Sequence, residues 1–112
     1  MKFGLFYGLQ SLPGSGVPHQ QLYKEMLEQV EVAEDLGYHS VSVAEHHFIE
    51  DGMCPSLLVT CAAIAARTKS MRIGTGCLLL PLYDPIHVAE DAAVVDNISG
   101  GRLTLAVTTG YV

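Results

Sequence analysis

The chain has 112 residues, of which 49% are hydrophobic and 16% are charged, and its formal net charge is −6. This length predicts one domain, and the acidic balance argues against a nucleic-acid partner, because a polyanion would be repelled. The longest apolar runs fall far short of the roughly 20 residues that span a bilayer, so no membrane partner is expected. Three cysteines without framework spacing indicate free thiols in a reducing compartment, and a cytoplasmic location is expected.

Strand and helix signals alternate through the first half of the chain. Residues 2–7 (KFGLFY) predict a short strand, and a loop rich in glycine, proline and serine follows at 11–18. Apolar residues then recur at helical spacing: Leu22, Met26, Val30, Ala33 and Leu36. Pro18 suits the first turn of this helix, and Gly37 suits the position just after its end. Valines alternate with serines at 39–44 (HSVSVA), which predicts the second strand.

The second half of the chain continues this alternation. Residues 57–69 (LLVTCAAIAARTK) predict a second helix that is apolar on most sides and therefore well buried. A nearly continuous apolar run at 71–80 (MRIGTGCLLL) predicts the third strand, with both of its faces covered. Asp84, followed by a proline, predicts the start of a third helix that ends at about Ser99, before two glycines. Residues 102–108 (RLTLAVT) predict the last strand.

The order β-α-β-α-β-α-β places the chain in the α/β class, because strands joined by helical crossovers lie parallel. Two architectures fit this order: a doubly wound sheet with helices on both faces, and a singly wound sheet that begins a (β/α)₈ barrel. Gly74 and Gly76 do not form a dinucleotide-binding loop, because they lie inside a strand and no helix follows them. In both architectures function collects at the carboxyl ends of the strands, where Glu45 and His46 follow the second strand.

Four segments resemble one known family: AEHHF (44–48), IGTG (73–76), LPLYDP (80–85) and SGGRL (99–103). With MKFGLFY at the start and TTGY at the close, they are similar to the N-terminal half of the bacterial luciferase-like flavin monooxygenase family, which includes alkanal monooxygenases. The resemblance implies parallel βα units of a (β/α)₈ TIM barrel that is luciferase-like and truncated after the fourth strand. Residues 1–112 would then form a single partial barrel unit.

The resemblance also implies a cofactor and site residues. Reduced FMN is the expected cofactor, because EHHF looks more like the FMN-using branch of the family than the deazaflavin branch. His46 matches the histidine that acts as a base near the junction of flavin and substrate, and Glu45 matches the carboxylate beside the flavin ring. Gly76 and Cys77 match a pair whose peptide is often cis and lies against the isoalloxazine ring. Glu90 matches a carboxylate that approaches the same pocket.

Several of these positions also have other interpretations. His47 is either a packing residue or a support for the site, since neighbours on an extended segment point in opposite directions. A metal site is the rival interpretation of residues 45–47, although the H-E-x-x-H spacing is absent. Glu90 also fits a solvated helix face. Arg102 is expected to be structural and to pair with a nearby carboxylate.

Two departures from the family bear on function. Thr108 and Thr109 stand where luciferases carry a cysteine and an arginine, and the arginine would help to hold the flavin phosphate. A complete barrel needs about 250 residues, so the inner face of the sheet is expected to be uncovered. The residues expected on that face are Val41, Val43, Ile73 and Leu105, or their alternates. Because apolar patches and open strand edges favour association, a homo-oligomer forming a pseudo-barrel, or a complementary half-barrel, is the expected partner.

The expected function is that of an FMN-dependent monooxygenase that acts on an aldehyde or a similar small organic substrate. Its activity would require the missing half-barrel or oligomerisation, and a flavin reductase would be a further partner. Two alternatives stay open. One is a non-catalytic half-barrel homolog that serves self-association or binding, and the other is a metal-dependent hydrolase on the same class of barrel.

Overall fold

The computed structural model describes residues 1–50, Gly52 and residues 54–110. In chain order the elements are β1 (Gly4–Tyr7), α1 (His19–Asp35), β2 (Ser40–Val43), α2 (Leu57–Arg67), β3 (Arg72–Thr75), β4 (Leu78–Leu79), a 3₁₀ turn (Leu80–Leu82), α3 (Pro85–Ser99), β5 (Leu103–Thr104) and β6 (Val107–Thr108). The three predicted helices are all present. Within the described ranges, no helix combines the length and the apolar character that a membrane span requires.

Four strands form one parallel sheet in the order β1-β2-β3-β5, so that each strand lies beside its neighbour in the chain. Helix α2 packs against both α1 and α3, and it also contacts β2 and β3. The three helices therefore form one layer on a single face of the sheet. This arrangement confirms an α/β fold with parallel strands and excludes the doubly wound alternative, which would place helices on both faces. We call the face of the sheet opposite the helices the inner face.

The helix-facing side of the sheet carries the apolar half of the strand alternation. Val41, Val43 and Ile73 are fully buried there, in one core with residues of all three helices. The sequence left open whether these residues or their alternates lie on the inner face, and the structure places these three on the helix side. Apolar stripes on the helices need apolar partners, and burial of the valines and isoleucine against them is the more favourable arrangement. Leu105, which follows β5, is 41% exposed.

The alternate residues line the inner face, and most of them are small or polar. The open cleft on this face has a volume of about 290 Å³. Its lining includes Ser40, Ser42, Gly74 and Thr104. Arg72 also borders the cleft, and its guanidinium donates to the hydroxyl of Thr104 at 2.8 Å. Phe6, which pairs in register with Ser42, is the apolar exception and is 66% exposed. The inner face is thus uncovered in this chain, as expected, but it is mainly polar.

The two strands predicted at 71–80 and 102–108 are each divided in two. The peptide between Gly76 and Cys77 is cis, and beyond it β4 pairs with β6 in a separate two-stranded sheet. Between the two sheets, the Thr75 hydroxyl donates to the carbonyl of Ala106 at 2.6 Å and accepts from its amide at 2.8 Å. A side chain therefore takes the place of the backbone ladder at the point where both predicted strands are interrupted.

The helix ends follow the capping chemistry predicted from the sequence. Gly37 has φ of +87° just after α1, and its amide donates to the carbonyl of Glu34, as in a Schellman motif. Asp84 precedes α3, and its Oδ1 accepts from the amide of Ile86 at 2.8 Å. Leu36 does not extend the buried stripe of α1, because it is the capping residue and is 73% exposed.

Arg102 fixes the junction between α2, α3 and β3. Its guanidinium donates to carbonyl oxygens of Ala65, Thr68 and Met71 at 2.9 to 3.0 Å, and its Nε donates to the carbonyl of Ser99. No carboxylate contacts this guanidinium in the described residues, so the expected ion pair is not found. The partial negative charge at the C-terminal end of α2 interacts with the guanidinium where a carboxylate was expected. The last carbonyls of a helix have no intrahelical donors and can therefore accept from an arginine.

Candidate functional site

The segment after β2 continues the alternation of the strand. Ser40 and Ser42 lie on the inner face, whereas Val41 and Val43 are buried on the helix side. By this alternation residues 45 and 47 turn to the helix side and residue 46 turns to the inner face. The structure supports this directly for the first pair, because Oε1 of Glu45 lies 2.7 Å from Nε2 of His47. Both side chains therefore lie on the same side of the segment.

The carboxylate of Glu45 is the most constrained polar group at this end of the sheet. Its side chain has no exposed surface. Besides His47, it accepts a hydrogen bond from the hydroxyl of Tyr83 at 2.8 Å and from the amide of Leu79 at 3.1 Å. A buried carboxylate without such partners would be strongly destabilising. Contact between Glu45 and a cofactor ring, expected from the resemblance, stays a prediction.

Tyr83 was not among the residues expected from the sequence. Its hydroxyl lies 2.8 Å from Glu45 and 3.2 Å from the carbonyl of Pro55, so it joins the segments before α2 and before α3. Burial raises the pKa of Tyr83, and its hydrogen bond to Glu45 raises it further. The phenol is therefore a neutral donor at physiological pH. One signal in the sequence could have identified it: LPLYDP places this tyrosine directly before the helix cap Asp84, at the carboxyl end of the sheet.

The imidazole of His46 is held differently from that of His47. The backbone amide of His46 donates to the carbonyl of Cys54 at 3.2 Å, which fixes the main chain at this residue. The side chain is partly buried, and no group in the described part of the chain hydrogen-bonds to its ring nitrogens. His46 therefore presents an imidazole that is free to bind a ligand or exchange a proton with one.

Gly76 and Cys77 lie next to the same region of the inner face. The amide of Gly76 donates to the carbonyl of Val43 at 2.8 Å. A Cβ atom at residue 76 would lie 2.8 Å from Cε2 of Phe6 and 3.4 Å from Cβ of Ser42. The absence of a side chain at residue 76 thus lets the ring of Phe6 and the small side chain of Ser42 lie directly against this backbone. The Phe6 ring is itself exposed, and a planar, mostly apolar group such as a flavin ring fits against such an aromatic face.

The structure does not connect Glu90 with these residues. Glu90 is exposed on α3 and has no hydrogen bond or ion pair with any residue that the structure describes. Its approach to the pocket stays a prediction. In the same described ranges, no group of three or more histidine, cysteine, aspartate or glutamate side chains could hold a metal ion, so the metal-site interpretation of 45–47 has no geometric support there.

Sequence comparison identifies the family. The sequence model of the luciferase-like monooxygenases matches residues 1–111. The chain belongs to this family. It is 34% identical over 110 residues to the oxygenase component of the flavin-dependent trigonelline monooxygenase of Acinetobacter baylyi, covering 98% of this chain and 30% of that protein. It is 32% identical over 95 residues to the alkanal monooxygenase alpha chain of Photobacterium leiognathi, covering 85% of this chain and 27% of that one.

Solved structures of luciferase-like monooxygenases share the fold. A monooxygenase from Streptomyces bottropensis superposes with a TM-score of 0.87 at 36% identity, over 96% of this chain and 32% of the other. The oxygenating constituent of 3,6-diketocamphane monooxygenase of Pseudomonas putida, in complex with FMN, gives a TM-score of 0.90 over 100% of this chain and 30% of the other. At 24% identity the second match shows the fold alone. The chain therefore spans about 30% of the length of the relatives that it matches.

Proposed function

We propose that this chain is the part of an FMN-dependent luciferase-like monooxygenase that presents His46 to the flavin and to an aldehyde or a similar small organic substrate. The observation that supports this proposal is that no described residue hydrogen-bonds to the ring nitrogens of His46, whose side chain the alternation from β2 predicts on the inner face, where Phe6 packs against Gly76. Membership of the family supplies the class of reaction. Substrate and cofactor identity are part of the proposal.

Each residue has a role that its surroundings support. Reduced FMN, when bound, supplies the electrons that activate oxygen for insertion into the substrate. His46 accepts and returns a proton at a ring nitrogen, which imidazole can do near neutral pH. Gly76 and Cys77 pack against the ring, and Glu45 holds the segment that carries the base. Glu90 is kept as a predicted contact, because its carboxylate is exposed and has no partner in the described residues.

The proposed partners follow from the open parts of the sheet. Strands β1 and β5 are at its edges, and the inner face is uncovered. A complementary half-barrel, or a second copy that completes a pseudo-barrel, would pair these edges and cover this face. A flavin reductase would supply the reduced cofactor, and the relative in Acinetobacter baylyi is likewise named as an oxygenase component. A cytoplasmic location stays a prediction.

Sedimentation of the purified chain tests the partner. We expect no stable monomer at micromolar concentration, because unpaired edges favour association. A dimer would support the second copy as the partner, and larger heterogeneous species that disappear when a complementary half-barrel is added would support that half instead. A monodisperse monomer over the whole concentration range would contradict both forms of the proposal.

A non-catalytic half-barrel is the second candidate function. It is favoured by Thr108 and Thr109, which replace a cysteine and an arginine of the luciferases. The Thr109 hydroxyl contacts only the carbonyl of Gly110 among the described residues. No cation for the flavin phosphate is therefore supplied at these two positions. The two candidates differ in whether the protein binds FMN at all.

Titration with FMN, followed by flavin fluorescence, separates these candidates. We expect saturable binding in the micromolar range, weakened by His46→Ala and abolished by Gly76→Val, whose side chain would collide with Phe6. His87→Ala is the matched control, because His87 is an exposed histidine on α3 whose ring has no hydrogen bond to a described residue. Absence of binding at millimolar FMN, by the chain and by its complex with a complementary half-barrel, would establish the non-catalytic candidate.

A further inference from the structure

Three separate segments meet at the buried carboxylate of Glu45. The segment after β2 contributes His47, the last residue of β4 contributes the amide of Leu79, and the segment that leads to the helix cap Asp84 contributes Tyr83. Tyr83 also contacts the carbonyl of Pro55, just before α2. Glu45 thus connects the loops at the carboxyl ends of two adjacent strands, although none of its oxygen atoms reaches the surface.

The direction of each hydrogen bond follows from the chemistry of the partners. An ionised carboxylate can only accept, and the Leu79 amide can only donate. Because burial and the contact with Glu45 raise the pKa of Tyr83, its hydroxyl keeps its proton and donates it to Oε1. The His47 ring must then also donate, through a proton on Nε2. The bonds from Leu79 and Tyr83 hold the carboxylate of Glu45, and the bond from His47 ties residue 47 to that carboxylate.

This arrangement sets the direction of the residue between them. Glu45 and His47 are held on the helix side, so alternation leaves the His46 side chain on the inner face. The His46 ring itself has no hydrogen bond with a described residue that would fix its direction. Its placement therefore depends on its two neighbours, and the placement of these neighbours depends on the donors that hold Glu45.

We propose that Tyr83 is a positioning residue for the site: its hydroxyl holds the Glu45 carboxylate, which binds His47 and so turns His46 toward the inner face. The proposal rests on the proposed function for one point only, which is the identity of the ligand that binds beside His46. The positioning role of Tyr83 requires no contact with the ligand or with His46. Its effect reaches the site mainly through Glu45 at 2.8 Å, and also through the carbonyl of Pro55 at 3.2 Å, which follows the Cys54 carbonyl that accepts from the His46 amide; both routes are testable in the unliganded chain.

The test compares Tyr83→Phe with Tyr7→Phe. Tyr7 is a matched control because its hydroxyl also donates a single hydrogen bond to a side chain, Gln29 on α1 at 3.0 Å, away from Glu45. The first measurement is the NMR spectrum of the histidine rings in the unliganded protein as a function of pH. We expect Tyr83→Phe to shift the ring signals of both His46 and His47, because the carboxylate that binds His47 loses one of its donors. Tyr7→Phe should leave them as in the wild type.

The second measurement is FMN affinity by fluorescence. We expect Tyr83→Phe to weaken binding about 10-fold, which corresponds to a His46 side chain that is turned toward the inner face in about one tenth of the molecules. Unchanged ring signals together with unchanged FMN affinity in Tyr83→Phe would overturn the proposal, even if its thermal stability falls. If Tyr83→Phe does not fold, Glu45→Gln replaces it, because the amide keeps the side-chain volume and loses an acceptor. Unchanged histidine ring signals together with unchanged FMN affinity in Glu45→Gln would then overturn the proposal.

These measurements also separate this inference from the proposed function. A wild-type protein that binds no FMN, in which Tyr83→Phe still moves the His46 signals, would contradict the function and support the positioning role. A wild-type protein that binds FMN, with Tyr83→Phe indistinguishable from Tyr7→Phe in both measurements, would contradict the positioning role and support the function.

Discussion

Glu34 provides the sharpest test of how this chain fixes its loops. The residue lies in the last turn of α1, and its carboxylate accepts from the backbone amides of Lys69, Ser70 and Met71 in the loop before β3. The shortest of these bonds, from Ser70 and Met71 to Oε1, measure 2.6 and 2.7 Å. Glu34→Gln removes the charge and points an amide N–H₂ at a backbone donor, so at least one of the loop amides loses its acceptor.

The magnitude follows from the ionisation of the carboxylate. Burial alone would raise the pKa of Glu34, but the bonds from Ser70, Lys69 and Met71 outweigh it and lower the pKa from 4.5 to about 2. A shift of this size corresponds to about 3.4 kcal/mol before screening. Because the group is largely accessible to solvent, we discount this to about 1 to 2 kcal/mol of folding free energy at pH 7.

The sign of the pH dependence is set by a folded pKa below the unfolded one. The stabilisation is fully present above pH 5 and is lost as the pH falls toward 2, with about 40% remaining at pH 3. The assay is urea unfolding of wild type and Glu34→Gln at pH 7 and pH 3, monitored by circular dichroism. Glu31→Gln is the control, since Glu31 makes only an exposed ion pair with Arg67 at 3.5 Å. An equal difference between wild type and Glu34→Gln at both pH values would refute the reasoning.

Two further predictions concern the interrupted strands and the thiols. Thr75→Val should lower the free energy of unfolding by about 1 to 2 kcal/mol, because it leaves the amide of Ala106 without an acceptor, while the carbonyl of Ala106 keeps its bond from the Leu78 amide; Thr109→Val, at an exposed position, should lie within about 0.5 kcal/mol of wild type in the same urea titration. With Ellman's reagent, the native chain should show one reactive thiol, Cys77, because Cys54 is buried and burial raises the pKa of Cys61 to about 12. Fast labelling of all three would contradict the burial of the core, and protection of Cys77 by FMN would support the proposed ring contact.

Local chemistry made the helices and the order of the elements predictable from the sequence. Asp84 can cap a helix only through the amides that follow it, and Gly37 tolerates a φ of +87° that other residues resist. The alternation of serine and valine in β2 also predicted correctly that the serines and the valines lie on opposite faces of the sheet. Which of the two faces the helices cover stayed open, because the pattern itself does not state it, and the structure shows that Val41 and Val43 face the helices.

Long-range hydrogen bonds could not be predicted in the same way. Glu45 and Tyr83 are 38 residues apart, and Arg102 reaches carbonyls more than 30 residues away. No local period connects such residues, and carbonyl acceptors leave no mark in a sequence. Apart from the cis peptide that the family resemblance implied, the interruption at Gly76 was visible only as a glycine inside an apolar run, which indicated a bulge or a close approach and did not distinguish them.

The residues that hold the loops all act through bonds within this chain. Glu34 and Arg102 fix the chain before β3 and β5, while Thr75 and Glu45 fix it after β3 and β2. Among the described residues, the main chain at 45–47 and at 76–77 is therefore held by partners that this chain itself supplies. If the positioning role of Tyr83 holds, the direction of the His46 side chain depends on these bonds, and it should be the same whether or not a second copy covers the inner face.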